Sequence, residues 1–301
     1  MVATDLKNNK NIAVLGSGNL GISIARGIVA SKGYKASQIV LTRRSLDKIQ
    51  HLKDEEGFHI TSDNLEAVNK CAILIIGVLP AQVAPLLESI KHLVTKDHII
   101  ISVVLGITVS GIRSHLQPDV YTPIVRAMPN TAIQYCESMT CIANKSENPS
   151  ASGKLTAEQE LADQNALETT EKIFNCCGEC IIISEEAMIS APALCSCGTA
   201  FFCRIIRAAA SAGCEIGFHA EDAVRIAAQT AKGAAIMLLK NESHPESEID
   251  RITTPSGATI AGLNTMEHNG LTSAIIKGIV MSADKSSRSQ AALNKLNNVS
   301  N

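Results

Sequence analysis

Apolar residues fall along this chain in two rhythms, and the change between them divides it. Through the first part they come as short runs separated by polar or helix-spaced stretches. The runs Ile12 to Leu15, Gln38 to Ser45, Phe58 to Ile60, Cys71 to Val78, His98 to Val104 and Tyr121 to Ala127 predict strands. Cys71 to Val78 is apolar almost throughout, as a parallel strand buried on both faces requires. Leu20, Ile24, Gly27 and Ile28 keep helical spacing after the first run, and further helices are expected over Pro80 to His92 and Thr108 to Leu116, the latter capped by Ile107 or Thr108. Met139 to Ala143 and Cys180 to Ser184 predict two more strands. They flank an exposed polar loop, Asn144 to Lys154, and a helix over Ala157 to Cys177 ending at Gly178. From about Glu185 no strand-like run appears. Helices are expected over Ala200 to Ile216, Ala220 to Leu239, Ser256 to His268 and Leu271 to about Leu296. The pattern predicts an α/β chain, a Rossmann-type doubly wound sheet over residues 1–185 followed by an all-helical domain over 186–301.

Composition narrows the reading. Apolar residues make up 46% of the 301, ample for a core, and the net charge of −2 gives no field suited to nucleic acid or an anionic membrane. Residues 1–10 are polar, read as frayed, and carry no cleavable signal. The longest apolar stretch, Cys71 to Leu87, is broken by Pro80, Gln82 and Pro85 and is too interrupted to span a bilayer. A soluble cytoplasmic protein is expected. The ten cysteines include the groups Cys176, Cys177, Cys180 and Cys195, Cys197, but their spacing builds no paired metal frame. They read as small buried residues in a reducing compartment, with no metal expected and a redox-sensitive thiol as the alternative. The helical half is dense in small residues, as in Arg207 to Gly213, and would bury more by packing on a twin. A homodimer through this half is expected, against a self-sufficient monomeric bundle.

The chemistry gathers at three places. Gly16-Ser17-Gly18-Asn19-Leu20-Gly21 fits G-x-G-x-x-G between the first strand and the first helix, the context in which the motif means dinucleotide binding rather than a plain tight turn. The second strand then ends in Thr42, Arg43, Arg44 and Ser45, where an NAD-selective site carries an acid. Two cations and a hydroxyl suit a 2′-phosphate, so NADPH is expected, with NADH weaker; a solvated loop is the plain alternative. Other strand ends in this sheet place Val78, Pro80, Gly106, Met128 and Asn130 among the candidate cofactor contacts. Arg126-Ala127-Met128-Pro129-Asn130-Thr131 is the second place; Asn130 suits a hydrogen bond to a carboxamide or substrate, or else an Asx turn. The third is Asp250 to Leu263. Thr and Pro in capping positions leave Ser256, Gly257, Ala258 and Thr259 to present bare N–H groups to a carboxylate, or else form an ordinary capped helix.

From Ile12 to about Ser287 the chain resembles the pyrroline-5-carboxylate reductase family. The resemblance rests on Gly16-x-Gly18-x-x-Gly21, on Arg126-x-Met128-Pro129-Asn130-Thr131, and on Thr253-Thr254-Pro255-x-Gly257-Ala258-Thr259-Ile260-x-x-Leu263. Ala228-Gln229-Thr230-x-x-Gly233-Ala234-Ala235 supports it. It implies NADPH-dependent reduction of a cyclic imine to L-proline, a Rossmann domain with a helical dimerisation domain, and dimers that assemble into larger rings. It also implies that the substrate carboxylate binds the N–H groups of Gly257 to Thr259 beside Ser256, while the Thr259 hydroxyl hydrogen-bonds the imine nitrogen. The Pro255–Leu263 stretch is then expected to meet the cofactor, from the same subunit or its partner. The chain departs from the family at Leu79 (usually Lys), Leu105 (usually Ala), Cys136 and Ser256 (usually Gly), and at Ser196, Cys197 and Thr199, where Gly-Ser-Gly-Pro-Ala is usual. These departures leave open a reductase of another cyclic imine, or a catalytically weak dinucleotide-binding paralogue. Ser256 is expected to cost little if its backbone suits a non-glycine residue.

Overall fold

A computed structural model describes residues 11–145 and 155–299, with side chains as far as Arg288. Residues 1–10 and positions 146–154 of the expected loop lie outside the described residues. The first strand is β1 (Ile12–Leu15), and its four residues are fully buried. Ile12 and Val14 point into one apolar core, Ala13 and Leu15 into the other. Side chains that alternate between two covered faces all need to be apolar, which is why the run is continuous.

The chain proceeds from β1 through α1 (Asn19–Ala30) to β2 (Ile39–Thr42), then α2 (Gln50–Asp54), β3 (His59–Thr61) and α3 (Asn64–Lys70). It continues as β4 (Ile73–Ile76), α4 (Val83–Ile90), β5 (Ile99–Ser102), α5 (Val109–Arg113) and β6 (Ile124–Met128). β7 (Ser138–Ala143), α6 (Ala157–Asn175) and β8 (Gly178–Ile182) complete the sheet. The strand order is β3-β2-β1-β4-β5-β6-β7-β8. β1 to β6 are parallel, β7 runs antiparallel to β6, and β8 is parallel to β7. The chain moves outward from β1 to β3 and then returns to lay β4 on the other side of β1. That reversal opens a crevice beyond the carboxyl ends of β1 and β4, where ligands of such sheets bind.

Three local features depart from the sequence reading. Helices α2 and α3 were not separately expected, because five and seven residues are too few to show a helical period. Asn144, expected in an exposed loop, is buried; its Nδ2 donates to the Asp163 carbonyl at 3.0 Å, which holds the end of β7 against α6. Gly27 lets α1 press on the 3₁₀ turn Thr131–Tyr135, since a Cβ there would stand 2.2 Å from the Ile133 carbonyl oxygen.

No strand follows β8 among the described residues. Five helices take over: α7 (Ala191–Glu215), α8 (Ala220–Asn241), α9 (Pro245–Ile252), α10 (Ala258–His268) and α11 (Leu271–Val299). α7 begins well before the expected start at Ala200. α9 was not expected; Pro245 occupies its first turn, and His244 Nδ1 caps it by accepting the Glu246 N–H at 3.2 Å. The chain divides into two compact units. One holds residues to Ser196 together with those from Ala283; the other is Cys197–Ser282.

The second unit buries few side chains: Ala210, Ala223 and Glu248 among those described. α7 and α8 approach closely through small residues, for a Cβ on Gly213 would lie 2.9 Å from Ala223 Cβ. Meanwhile Phe202, Ile216, Leu239, Ile276 and Met281 are more than half exposed. The run Ala187–Glu215 is long and apolar enough to cross a membrane by length and composition, with a mean hydropathy of 1.5. Among the described residues this helix, not Cys71 to Leu87, comes nearest to a spanning segment. An apolar helix face covered by a second copy of the chain meets the same test.

Candidate functional site

The glycine turn is held by the end of β2. Thr42 Oγ1 accepts the Gly16 N–H at 3.2 Å, and the Thr42 carbonyl accepts the Ser17 N–H at 2.8 Å. Gly16 takes φ +101°, and a Cβ there would meet Val78 at 2.5 Å, so only glycine lets the turn pass beside β4. Gly18 N–H turns back to the Gly16 carbonyl at 3.0 Å. The first intrahelical bond of α1 runs from Ile22 N–H to Gly18. The N–H groups of Asn19, Leu20 and Gly21 therefore have no acceptor within the helix, and the positive end of the dipole adds to them. A Cβ on Gly18 would meet nothing within 4 Å, so the approach to these donors is open. This cradle fits a pyrophosphate.

Position 42 is where a carboxylate would select a ribose 2′-hydroxyl. Thr42 is buried, and both its oxygens serve the turn. Arg43 folds back, Nη1 donating to the Ser17 carbonyl at 3.1 Å, which braces the turn from outside. Arg44 and Ser45 are exposed, and among the described residues Arg44 has no ion-pair partner. The donor set thus fits a phosphorylated dinucleotide: a pyrophosphate cradle, no acid, and an uncommitted cation beside a hydroxyl.

A cleft of about 660 Å³ collects Gly16, Ser17, Gly18, Arg43, Arg44, Ser45 and Val78 of the expected residues. Asn19, Leu20, Gly21, Pro80, Gly106, Met128 and Asn130 do not line it. Lys48, Ser62 and Asn64 do line it and were missed. Ser62 follows the carboxyl end of β3, which the strand-end rule applied to Phe58–Ile60 would have found. Leu79 stands 69% exposed on the cleft, and Leu105 is 36% exposed but outside the lining. An uncharged side chain replaces the family's lysine at the cleft edge.

Two of the expected contacts hold structural positions. Met128 is buried in an apolar cluster with Cys141, Ala143 and Met188. Asn130 makes the Asx turn: Oδ1 accepts the Ala132 N–H at 2.9 Å and Nδ2 donates to the Cys195 carbonyl at 3.1 Å. Its side chain fixes the start of the 3₁₀ turn and ties it to α7. Arg126 of the same motif is 1% exposed. Its Nη1 stands 3.6 Å from Glu185 Oε1, which also accepts the Val109 N–H of α5 at 2.6 Å. Burial pulls the guanidinium pKa below its usual value, against the pull of Glu185.

In the second unit the anion cradle shifts by one residue from the expectation. The Gly257 N–H donates to the Thr254 carbonyl at 3.0 Å, and Gly257 is the N-cap of α10. The groups without an intrahelical acceptor are the N–H donors of Ala258, Thr259 and Ile260. Thr259 is exposed, and no hydrogen bond engages its hydroxyl among the described residues. Ser256 takes φ +61°, so the condition on which serine would cost little is not met: the backbone is left-handed, where glycine is favoured. Cys136 shows the same conflict at φ +56°. Among the described residues no three His, Cys, Asp or Glu side chains group as metal ligands do. Of the grouped cysteines, Cys177 and Cys180 are buried as expected, while Cys176, Cys195 and Cys197 are only partly so.

Known proteins bear on both units. Residues 185–289 match the family model for pyrroline-5-carboxylate reductase dimerisation, and residues 11–106 match that for NADP oxidoreductase, coenzyme F420-dependent. The chain is 91% identical to pyrroline-5-carboxylate reductase 2 of Dictyostelium discoideum, over 100% of both proteins. It is 60% identical to pyrroline-5-carboxylate reductase 1 of that organism, over 92% of this chain and 49% of the relative. A pyrroline-5-carboxylate reductase structure from Coxiella burnetii superposes with a TM-score of 0.78 at 28% identity, over 93% of this chain and 98% of that one. Plasmodium falciparum pyrroline carboxylate reductase with NADP bound gives 0.77 at 23% identity over the same shares, a likeness of fold.

Proposed function

The chain belongs to the pyrroline-5-carboxylate reductase family, and from that premise we infer that it reduces pyrroline-5-carboxylate to L-proline, the closing step of proline biosynthesis. It is an oxidoreductase acting on a CH–NH group with a nicotinamide dinucleotide. The observation that carries this reading is 91% identity over the full length of a reductase of that name.

NADPH supplies the hydride when bound. The residues of the chain bind and orient. The N–H groups of Asn19, Leu20 and Gly21 take the pyrophosphate, and Arg44 with Ser45 takes the 2′-phosphate, with Lys48 adding positive charge. Arg43 keeps the turn rigid through Ser17. Because Thr42 is engaged internally and no carboxylate stands in its place, NADH lacks its usual ribose acceptor and binds more weakly. The substrate carboxylate is held by Ala258, Thr259 and Ile260 N–H at the start of α10. The Thr259 hydroxyl oxygen accepts the N–H of the protonated imine, favouring that form, which is the better hydride acceptor.

A homodimer formed through the helical segment covers the apolar faces left on α7, α8 and α11, and dimers can assemble further. A cytoplasmic setting suits the ten cysteines, none of which forms a disulfide. The test is direct. The purified protein is mixed with pyrroline-5-carboxylate and either NADPH or NADH, while cofactor absorbance and L-proline are followed. Proline forms with both and faster with NADPH; absence of proline with either cofactor overturns the reading.

A further inference from the structure

The sequence groups Cys195 with Cys197, but the fold gives it a different neighbour. Cys141 of β7 and Cys195 near the start of α7 stand with their sulfurs 3.3 Å apart. They are 54 residues apart in sequence, and both belong to the first unit. Cys141 is 4% exposed within the cluster of Met128, Ala143 and Met188, and Cys195 packs against that cluster while remaining partly accessible. A disulfide is about 2.05 Å long, so bonding asks the two sulfurs to close by roughly 1.3 Å. The pair is asymmetric. The contact with Cys141 brings Cys195 down to about 7, while that same contact and burial push Cys141 up. The more accessible sulfur is therefore also the one whose thiolate form is favoured.

We propose that Cys141 and Cys195 are an oxidation site, a thiol pair that a hydroperoxide converts to a reversible disulfide. The Cys195 thiolate attacks the peroxide, an S–O bond forms, the O–O bond breaks, and hydroxide leaves. Cys141 then attacks the sulfur of the Cys195 sulfenic acid. The S–S bond forms, the S–O bond breaks, and water leaves with the Cys141 proton. Sulfur is oxidised and peroxide oxygen reduced in a two-electron exchange. The new bond welds β7 to α7 at the residue whose carbonyl holds the Asn130 amide, so the modification acts on the anchor of the Met128–Asn130 segment.

The test uses the intact protein and hydrogen peroxide, with blocked-thiol peptide mapping before and after dithiothreitol. The expected result is a Cys141–Cys195 cross-linked peptide as the main disulfide, lost on reduction. In Cys141→Ser a sulfenic acid trappable by dimedone accumulates at Cys195; in Cys195→Ser, Cys141 stays reduced. Absence of the cross-link from the wild-type protein, while exposed Cys203 and Cys214 are oxidised, overturns the proposal. So does dimedone capture at Cys141 rather than Cys195. The wild-type mapping decides even if a variant fails to fold.

Discussion

The two compact units solve the burial problem in opposite ways. In the first, strands such as β1 and β4 bury every residue, and helices cover both faces of the sheet. Its polar atoms at the strand ends are engaged with one another, as Thr42 is with the glycine turn. In the second, Ala210 and Ala223 are the only fully buried apolar residues described, while Phe202, Ile216 and Leu239 face outward. Small residues bring its helices close but leave little side chain to bury between them. The first unit has its own core; the second leaves apolar faces of the kind that a partner surface covers.

The sharpest way to break this contrast is Phe202→Glu. In a symmetric interface the change occurs twice, removing about 1.5–3 kcal/mol of apolar burial each time and adding a desolvated charge. A rise of roughly a thousandfold or more in the dimer dissociation constant is expected by sedimentation, with turnover falling alongside. Unchanged assembly would show the second unit to be self-sufficient. Next is Thr259→Ala. Loss of one charge-assisted hydrogen bond to the imine nitrogen should lower kcat about 10–100-fold and leave the KM for the imine within a few-fold.

Arg44→Ala tests the first unit in the same way. It should raise the KM for NADPH about tenfold while that for NADH changes little, as steady-state kinetics with each cofactor would show. Smaller again are Cys136→Gly and Ser256→Gly, one in each unit. Relief of left-handed strain, less the backbone entropy of glycine, should stabilise by about 0.5–1 kcal/mol in thermal unfolding. The smallest effect is pH-dependent. Lys70, Thr61 and His59 together hold Glu66 down at about 2. Its folded pKa lies below the unfolded value, so its contribution is present above about pH 4.3 and fades as pH falls towards 2. Glu66→Gln should lower the Tm slightly at pH 6 and not at pH 2.

Much of the first unit was legible because its signals are local. The continuous run Ile12–Leu15 reads as a two-sided strand, and Gly16 to Gly21 reads as the turn that follows it. Lys48 was missed because it lies in the 3₁₀ turn Leu46–Ile49, too short to register as a pattern, and Ser62 because the strand-end rule was not carried to β3, yet both meet Arg44 in one cleft. The start of α10 was legible by motif, but its bare donors begin one residue later than expected. Whether the Gly257 N–H is bare depends on the Thr254 carbonyl turning towards it, which composition does not encode. Asn130 suited both a ligand contact and an Asx turn, and only the position of Cys195 settles how its amide is used.

By itself the sequence determined the order of elements, the dinucleotide turn, the missing acid after β2 and the helical second half, since each follows from residue type and near-neighbour spacing. The tertiary structure alone decided which donors remain uncommitted, which cysteine faces Cys141, and which apolar faces stay uncovered. Those properties depend on partners tens of residues away. Two chains with the same local pattern can differ in them, because a hydrogen bond or a buried face exists only once both sides have been brought together.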